Sequence, residues 1–187
     1  MKKFLSVFSF VSLILTGCSS GKRTSETISS RDKDAERPVS TNFSEPSTWL
    51  LGYLSYMQFL KAPHSEWFLK GFETYQPADE VVGKLFEVNK ENIAIKIVLG
   101  TWCPDSRREV PRFMKIIDRW QFPLDKVVYI GVDNSKIAPV GGYDTLGIER
   151  VPTFIILRNK IEAGRIIENP VTSLEQDMLD FLTRNED

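Results

Sequence analysis

Apolar positions along the second half of the chain follow two rhythms. Ile93 to Leu99 (IAIKIVL), Lys126 to Val132 (KVVYIGV) and Val151 to Leu157 (VPTFIIL) are short runs dense in β-branched residues. Runs of that length and composition read as buried strands. Between the first two, Val110, Phe113, Ile117 and Trp120 recur at helical spacing, which predicts a helix from Ser106 to about Trp120. Residues 133 to 147, with Pro139, Gly141 and Gly142, read as a loop. Arg158-Asn159-Lys160 turns the third strand into a fourth, Ile161 to Ile167, around Gly164. Ser173 then caps a closing amphipathic helix with Leu174, Met178, Phe181 and Leu182 inward.

Upstream the pattern is mostly helical. Trp49 to Leu54 reads as a short strand, and Ser55 as the N-cap of a helix carrying Met57, Phe59 and Leu60 that stops before Pro63. Ser65 caps a second helix with Trp67, Phe68 and Phe72 on its apolar side. Pro77 opens a third, with Val81, Val82, Leu85 and Phe86 inward. His64 lies in the Pro63-His64-Ser65 turn, where a surface role is expected. A strand, helix and strand give a parallel pair by a right-handed crossover. The hairpin adds antiparallel strands and the last helix covers the sheet. The expected class is α/β: a central mixed sheet flanked by helices, with an N-terminal helical extension.

Composition narrows the function classes. The 187 residues are 42% hydrophobic and carry a net charge of -1, so nothing points to nucleic acid. There is enough chain for one domain of roughly 100–150 residues plus extra segments. One histidine and two cysteines offer no zinc spacing, so neither a metal nor another cofactor is expected.

The N-terminus carries its own signal. Met1-Lys2-Lys3 is basic, and Phe4 to Leu15 is apolar but short of the roughly 20 residues a spanning helix needs. Residues 1–17 therefore read as a signal peptide. Its end, Leu15-Thr16-Gly17-Cys18, resembles the bacterial lipobox, which implies cleavage before Cys18 and lipid on its sulfur and new amino group. An ordinary signal peptide ahead of a chance cysteine is the alternative. Residues 18–42, rich in Ser, Thr and charge, read as a flexible tether, and 43–187 as the folded domain. A lipid-bearing Cys18 would leave Cys103 as the one free thiol.

Cys103 stands where the first strand ends, in Gly100-Thr-Trp-Cys-Pro-Asp-Ser-Arg-Arg-Glu-Val-Pro-Arg-Phe113. This order of elements resembles the thioredoxin fold over about residues 48 to 184. Trp102-Cys103-x-x-Ser106 follows the first strand, Pro111 lies inside the next helix, Val151-Pro152-Thr153 opens the hairpin, and Gly164 lies in its second strand. The wording around Cys103, with Glu66-Trp67-Phe68 upstream, is similar to a subgroup of thioredoxin-family lipoproteins and exported proteins of Bacteroidota. The resemblance implies a cis Pro152 facing the cysteine. It also implies a substrate surface of Trp102, Pro104, Val151 and Pro152, beside which an extended peptide could pair as an added strand. Two positions depart from the family pattern: Ser106 replaces the second cysteine, and Ile97 stands where many members carry a buried acid.

Chemically, a cysteine at a helix N-terminus gains thiolate stabilisation from free N–H groups and the helix dipole. The Ser106 hydroxyl is able to donate to the sulfur, and Arg107 and Arg108 add positive charge, opposed by Asp105. Ser106 and Glu109 also fit a capping box, which would explain the serine structurally. Arg107 and Arg108 equally fit a solvated face. Two function classes follow. In one, Cys103 is a nucleophile that forms mixed disulfides with protein thiols or disulfides of the cell envelope, as a thioltransferase or isomerase. Ser106 assists it, and the protein is a monomer anchored through Cys18 to the inner or outer membrane, facing the periplasm. In the other, the domain is a non-enzymatic module that binds extended polypeptides, and Cys103 is incidental.

Overall fold

The computed structural model describes residues 40–184. The expected signal peptide, Cys18 and nearly all of the expected tether lie outside the described residues.

Five strands form one mixed sheet in the order β1-β3-β2-β4-β5. They are β1 (Gly52–Leu54), β2 (Ile93–Leu99), β3 (Val127–Gly131), β4 (Thr153–Arg158) and β5 (Ile161–Ile167). β2 and β3 run parallel, with Ile97 opposite Tyr129. The other three pairings are antiparallel. Five α-helices accompany them: α1 (Tyr56–Phe59), α2 (Ser65–Thr74), α3 (Asp79–Phe86), α4 (Pro104–Arg119) and α5 (Leu174–Thr183).

Side-chain alternation along the strands decides how the layers stack. Ile93, Ile95, Ile97 and Leu99 of β2 share a face with Val127 and Tyr129 of β3 and with Phe154 and Ile156 of β4. Against that face pack Phe59, Phe68, Leu85, Phe113, Ile117, Met178 and other apolar residues of all five helices. α4 and α5 lie on the sheet itself, with α2 against α4 and α3 against α5. The opposite face holds Val98 and Ile130, covered by Val132, Ala138, Val151 and half-buried Val140, Tyr143, Leu146 and Ile148. The five α-helices of the described residues thus pack on one face, and the 3-10 turn Tyr143–Leu146 flanks the other. The reason is local. Residues 132–152 link β3 to β4 without an α-helix, and Gly142 and Gly147 sit at φ 71° and 59°, conformations that suit glycine and interrupt regular structure.

Several element ends shift from the sequence reading. α4 begins at Pro104, not Ser106, because a proline's fixed φ and missing N–H suit the first helical position. Cys103 is therefore its N-cap residue, with extended φ/ψ of -78° and 124°. β4 begins at Thr153, since Pro152 has no N–H for the ladder. Ser55 caps α1 in a full capping box with Gln58, whereas Ser65 is inside α2 and His64 precedes it without a side-chain cap. Met57 and Phe86, assigned to apolar faces, are exposed. His64 is the reverse case. It is 3% exposed, against Phe43 and Trp67 rings at 5.6 and 6.0 Å, so the expected surface role is overturned.

Two glycines make close pairings that the sequence hid. A β-carbon at Gly71 of α2 would come 2.5 Å from the ring of Pro111 in α4. One at Gly164 would come 2.4 Å from the Phe181 ring of α5. Both glycines therefore set how closely α-helices approach their neighbours.

Candidate functional site

β2 delivers the chain to Gly100, and α4 starts four residues later. The Cys103 N–H donates to the Gly100 carbonyl (2.9 Å) and closes a tight turn. Gly100 is required there, because a β-carbon would fall 2.5 Å from the Trp102 indole. The turn is tied down at three further points. The fully buried Thr101 accepts from the Leu50 N–H (3.1 Å). The Trp102 indole N–H donates to the Val132 carbonyl (3.0 Å). Arg107 Nη1 donates to the Thr101 and Trp102 carbonyls at 3.0 and 2.9 Å.

The sulfur faces the start of the hairpin. Cys103 Sγ donates to the Val151 carbonyl at 3.3 Å. The Val151–Pro152 bond is cis, and both residues are buried. Val151 and Pro152 are thus brought to Cys103 across 48 positions of sequence. Trp102 is half-buried and Pro104 exposed, so both border the turn at the surface. The sulfur itself is largely enclosed. Cys103 is 7% exposed and packs in the apolar cluster of Val98, Ile130, Val132, Ala138 and Val151.

Ser106 is placed differently from expectation. It is fully buried, and its hydroxyl accepts from the Gly100 N–H (3.2 Å), bracing the turn from inside. It makes no hydrogen bond to the sulfur. It makes no capping box with Glu109 either, whose buried carboxylate instead meets Arg108 (2.5 Å) and Arg112 (3.1 Å). Arg108 also pairs with Asp105 at 2.7 Å, so its charge is largely answered locally. Arg107 is the cation that matters to the turn. Its guanidinium stacks on the Phe43 ring at 4.7 Å. Burial lowers its pKa, and the negative charge of a Cys103 thiolate acts in the opposite direction.

Thr101, Phe43, Trp49 and Val132 are supporting residues that sequence reasoning missed. Trp49 lies 6.3 Å from Trp102 between ring centres, and its indole N–H holds the Phe43 carbonyl (2.9 Å). A threonine two residues past the end of a buried strand was a readable signal for Thr101. Nothing local marks Phe43 or Trp49, which reach the turn only through the path of residues 40–50. Among the described residues no His, Cys, Asp and Glu cluster could hold a metal ion.

One consequence is measurable. Arg107→Gln removes two charge-assisted bonds and the stack on Phe43, and is expected to cost about 1–3 kcal/mol of stability in urea unfolding. Arg107→Lys keeps the charge, loses the planar stack, and should recover part of the loss.

No protein-family model matches the chain, and no curated protein matches it. Solved structures do. A protein of unknown function from Pseudomonas aeruginosa is similar with a TM-score of 0.50 at 14% identity, over 70% of this chain and 90% of that one. An HIV epitope-scaffold is similar with a TM-score of 0.47 at 15% identity, over 70% of this chain and 82% of that one. The first likeness shows a shared fold alone, and the second carries no argument.

Proposed function

We propose that the chain is a thioredoxin-like thiol-disulfide exchange protein of the cell envelope that works with the single nucleophile Cys103. The observation that carries this reading is the position of that sulfur: on the N-cap residue of α4, 3.3 Å from the Val151 carbonyl at the opening of the hairpin. The Cys103 thiolate attacks one sulfur of a protein disulfide, forms a new S–S bond, and expels the other sulfur as a thiolate that takes up a proton. Ser106 cannot resolve the adduct, so a second thiol, from the substrate or a small molecule, must attack it and release Cys103. The first outcome is isomerisation and the second is thiol transfer. Strand order β1-β3-β2-β4-β5 and the cysteine after β2 support the thioredoxin-like reading. The lipobox-like Leu15-Thr16-Gly17-Cys18 supports lipid anchoring. No helix among the described residues is long and apolar enough to cross a membrane.

One observation favours the second reading, a binding module with an incidental cysteine: the thiol is buried and its proton is engaged by Val151. Alkylation separates the two. Under native conditions, iodoacetamide should modify Cys103, read by peptide mass mapping, at a rate within about tenfold of that in urea. Protection of more than about a hundredfold would favour the binding module.

A further inference from the structure

Residues 40–50 form a strap against the Cys103 turn, and Phe43 is where it is fastened. The Phe43 ring takes the Arg107 guanidinium at 4.7 Å and meets the His64 imidazole at 5.6 Å. The Phe43 carbonyl holds the Trp49 indole N–H, Trp49 packs against Trp102, and the Leu50 N–H donates to Thr101. Arg107 in turn bonds the carbonyls of Thr101 and Trp102. Strap and turn therefore share Arg107, Thr101 and Trp102 as points of attachment.

The ring under Phe43 is poorly suited to burial. His64 is enclosed, and neither its Nδ1 nor the neighbouring Trp67 Nε1 has a hydrogen-bond partner among the described residues. A neutral imidazole carries hydrogen on one nitrogen, whereas an imidazolium donates from both. Protonation in place would bury a cationic N–H without an acceptor.

The surroundings oppose that charge as well. His64 precedes α2 directly, at the positive end of the helix dipole. Arg107 of α4 adds its own positive field. Lys61, on the link into α2, is a further cation and forms no ion pair among the described residues. Carboxylates give no relief: Glu45 of the strap is engaged by Ser40 and Asn42, and Glu66 in the first turn of α2 does not bond Nδ1. Burial first, and Arg107 second, lower the His64 pKa.

We infer that residues 40–50 are a pH-released strap: protonation of His64 lifts Phe43, frees Arg107 from its stack and loosens the turn that carries Cys103. In the open form the imidazole meets water and titrates near its ordinary value of 6.5. The closed form is therefore fully favoured above that pH. It loses ground as pH falls from there toward the lowered value of the enclosed ring. Within that window the open population rises by up to about tenfold per pH unit, as one proton is taken up. The release stands whether or not Cys103 is a nucleophile.

Hydrogen exchange of the untagged full chain, in which His64 is the one histidine, tests it. The Leu50 amide, bonded to Thr101, and the Cys103 amide, bonded to the Gly100 carbonyl, report on strap and turn. Corrected for the intrinsic pH dependence of exchange, their protection should fall together by about tenfold between about pH 6.5 and about pH 5.5. His64→Gln should abolish that fall. Phe43→Ala, a change at a half-buried side chain, should leave the Leu50 amide unprotected already at about pH 7.5. Titrated by NMR, the His64 ring should protonate below its ordinary value in wild type and at about 6.5 in Phe43→Ala. An equal loss of protection in His64→Gln overturns the inference. So does constant protection in wild type, a Cys103 amide that stays protected while the strap opens, or the same His64 titration in wild type and Phe43→Ala.

Discussion

Cys103→Ala is expected to abolish the reducible adducts that the wild-type protein carries when recovered from cell envelopes and run without reductant. The expectation follows from counting sulfurs. Cys103 is the free cysteine among the described residues, and the other cysteine, Cys18, has no thiol if it is acylated on sulfur. Every protein adduct must then form on Cys103. The wild-type adduct should also be long-lived. Ser106 stands where an intramolecular thiol would attack, and its hydroxyl is committed to the Gly100 N–H. Ser106→Cys supplies that thiol at the same buried position, and should clear the adducts by closing an internal disulfide. Equal adduct levels in wild type and Cys103→Ala would remove the nucleophile reading altogether. Persistence in Ser106→Cys alone would instead show that residue 106 is out of reach of the mixed disulfide.

Trp120→Ala should be the most damaging single change to stability, by about 3–5 kcal/mol. Trp120 ends α4 and is fully buried. Its indole N–H donates to the Leu85 carbonyl at the end of α3, and its ring stacks on Phe122 at 4.7 Å between centres. Lys90 binds its carbonyl (2.8 Å) and lies 5.5 Å over the ring. Alanine therefore leaves a cavity, one bond fewer on the Leu85 carbonyl, which keeps the Val88 N–H, and a lost junction between α3, α4 and the connection to β2. A fall in melting temperature on the order of 10 °C is expected, read by calorimetry. Trp120→Phe keeps the stack and loses the indole bond, and should cost about 1–3 kcal/mol. If both variants cost the same, the hydrogen bond rather than the packing holds this corner.

The strands were legible because β2, β3 and β4 are buried in the middle of a sheet, where β-branched runs such as IAIKIVL have no competing explanation. α4 was legible from Val110, Phe113 and Ile117, all fully buried. The start of α4 was misread because Ser106 looks like a cap, and the sequence does not show its hydroxyl turned inward to Gly100. Cys103 and Pro152 came from local motifs, yet their meeting depends on a contact across the sheet. His64 was misread because a Pro-His-Ser turn looks solvated. Its burial comes from Phe43, 21 positions upstream, folding over it, and periodicity carries no trace of such a contact. One-sided stacking of the helices was equally hidden, since strand alternation gives two apolar faces without saying which partner each receives.

That lopsided layering divides labour along the chain. Regular elements, whose lengths and phases must agree with one another, build the foundation beneath α4. The wall nearest the sulfur on the other side, Val132 and Ala138, belongs to a stretch of irregular backbone with few such obligations. Insertions or trims between Asp133 and Arg150 can therefore retune what reaches Cys103 while the helical half keeps its architecture.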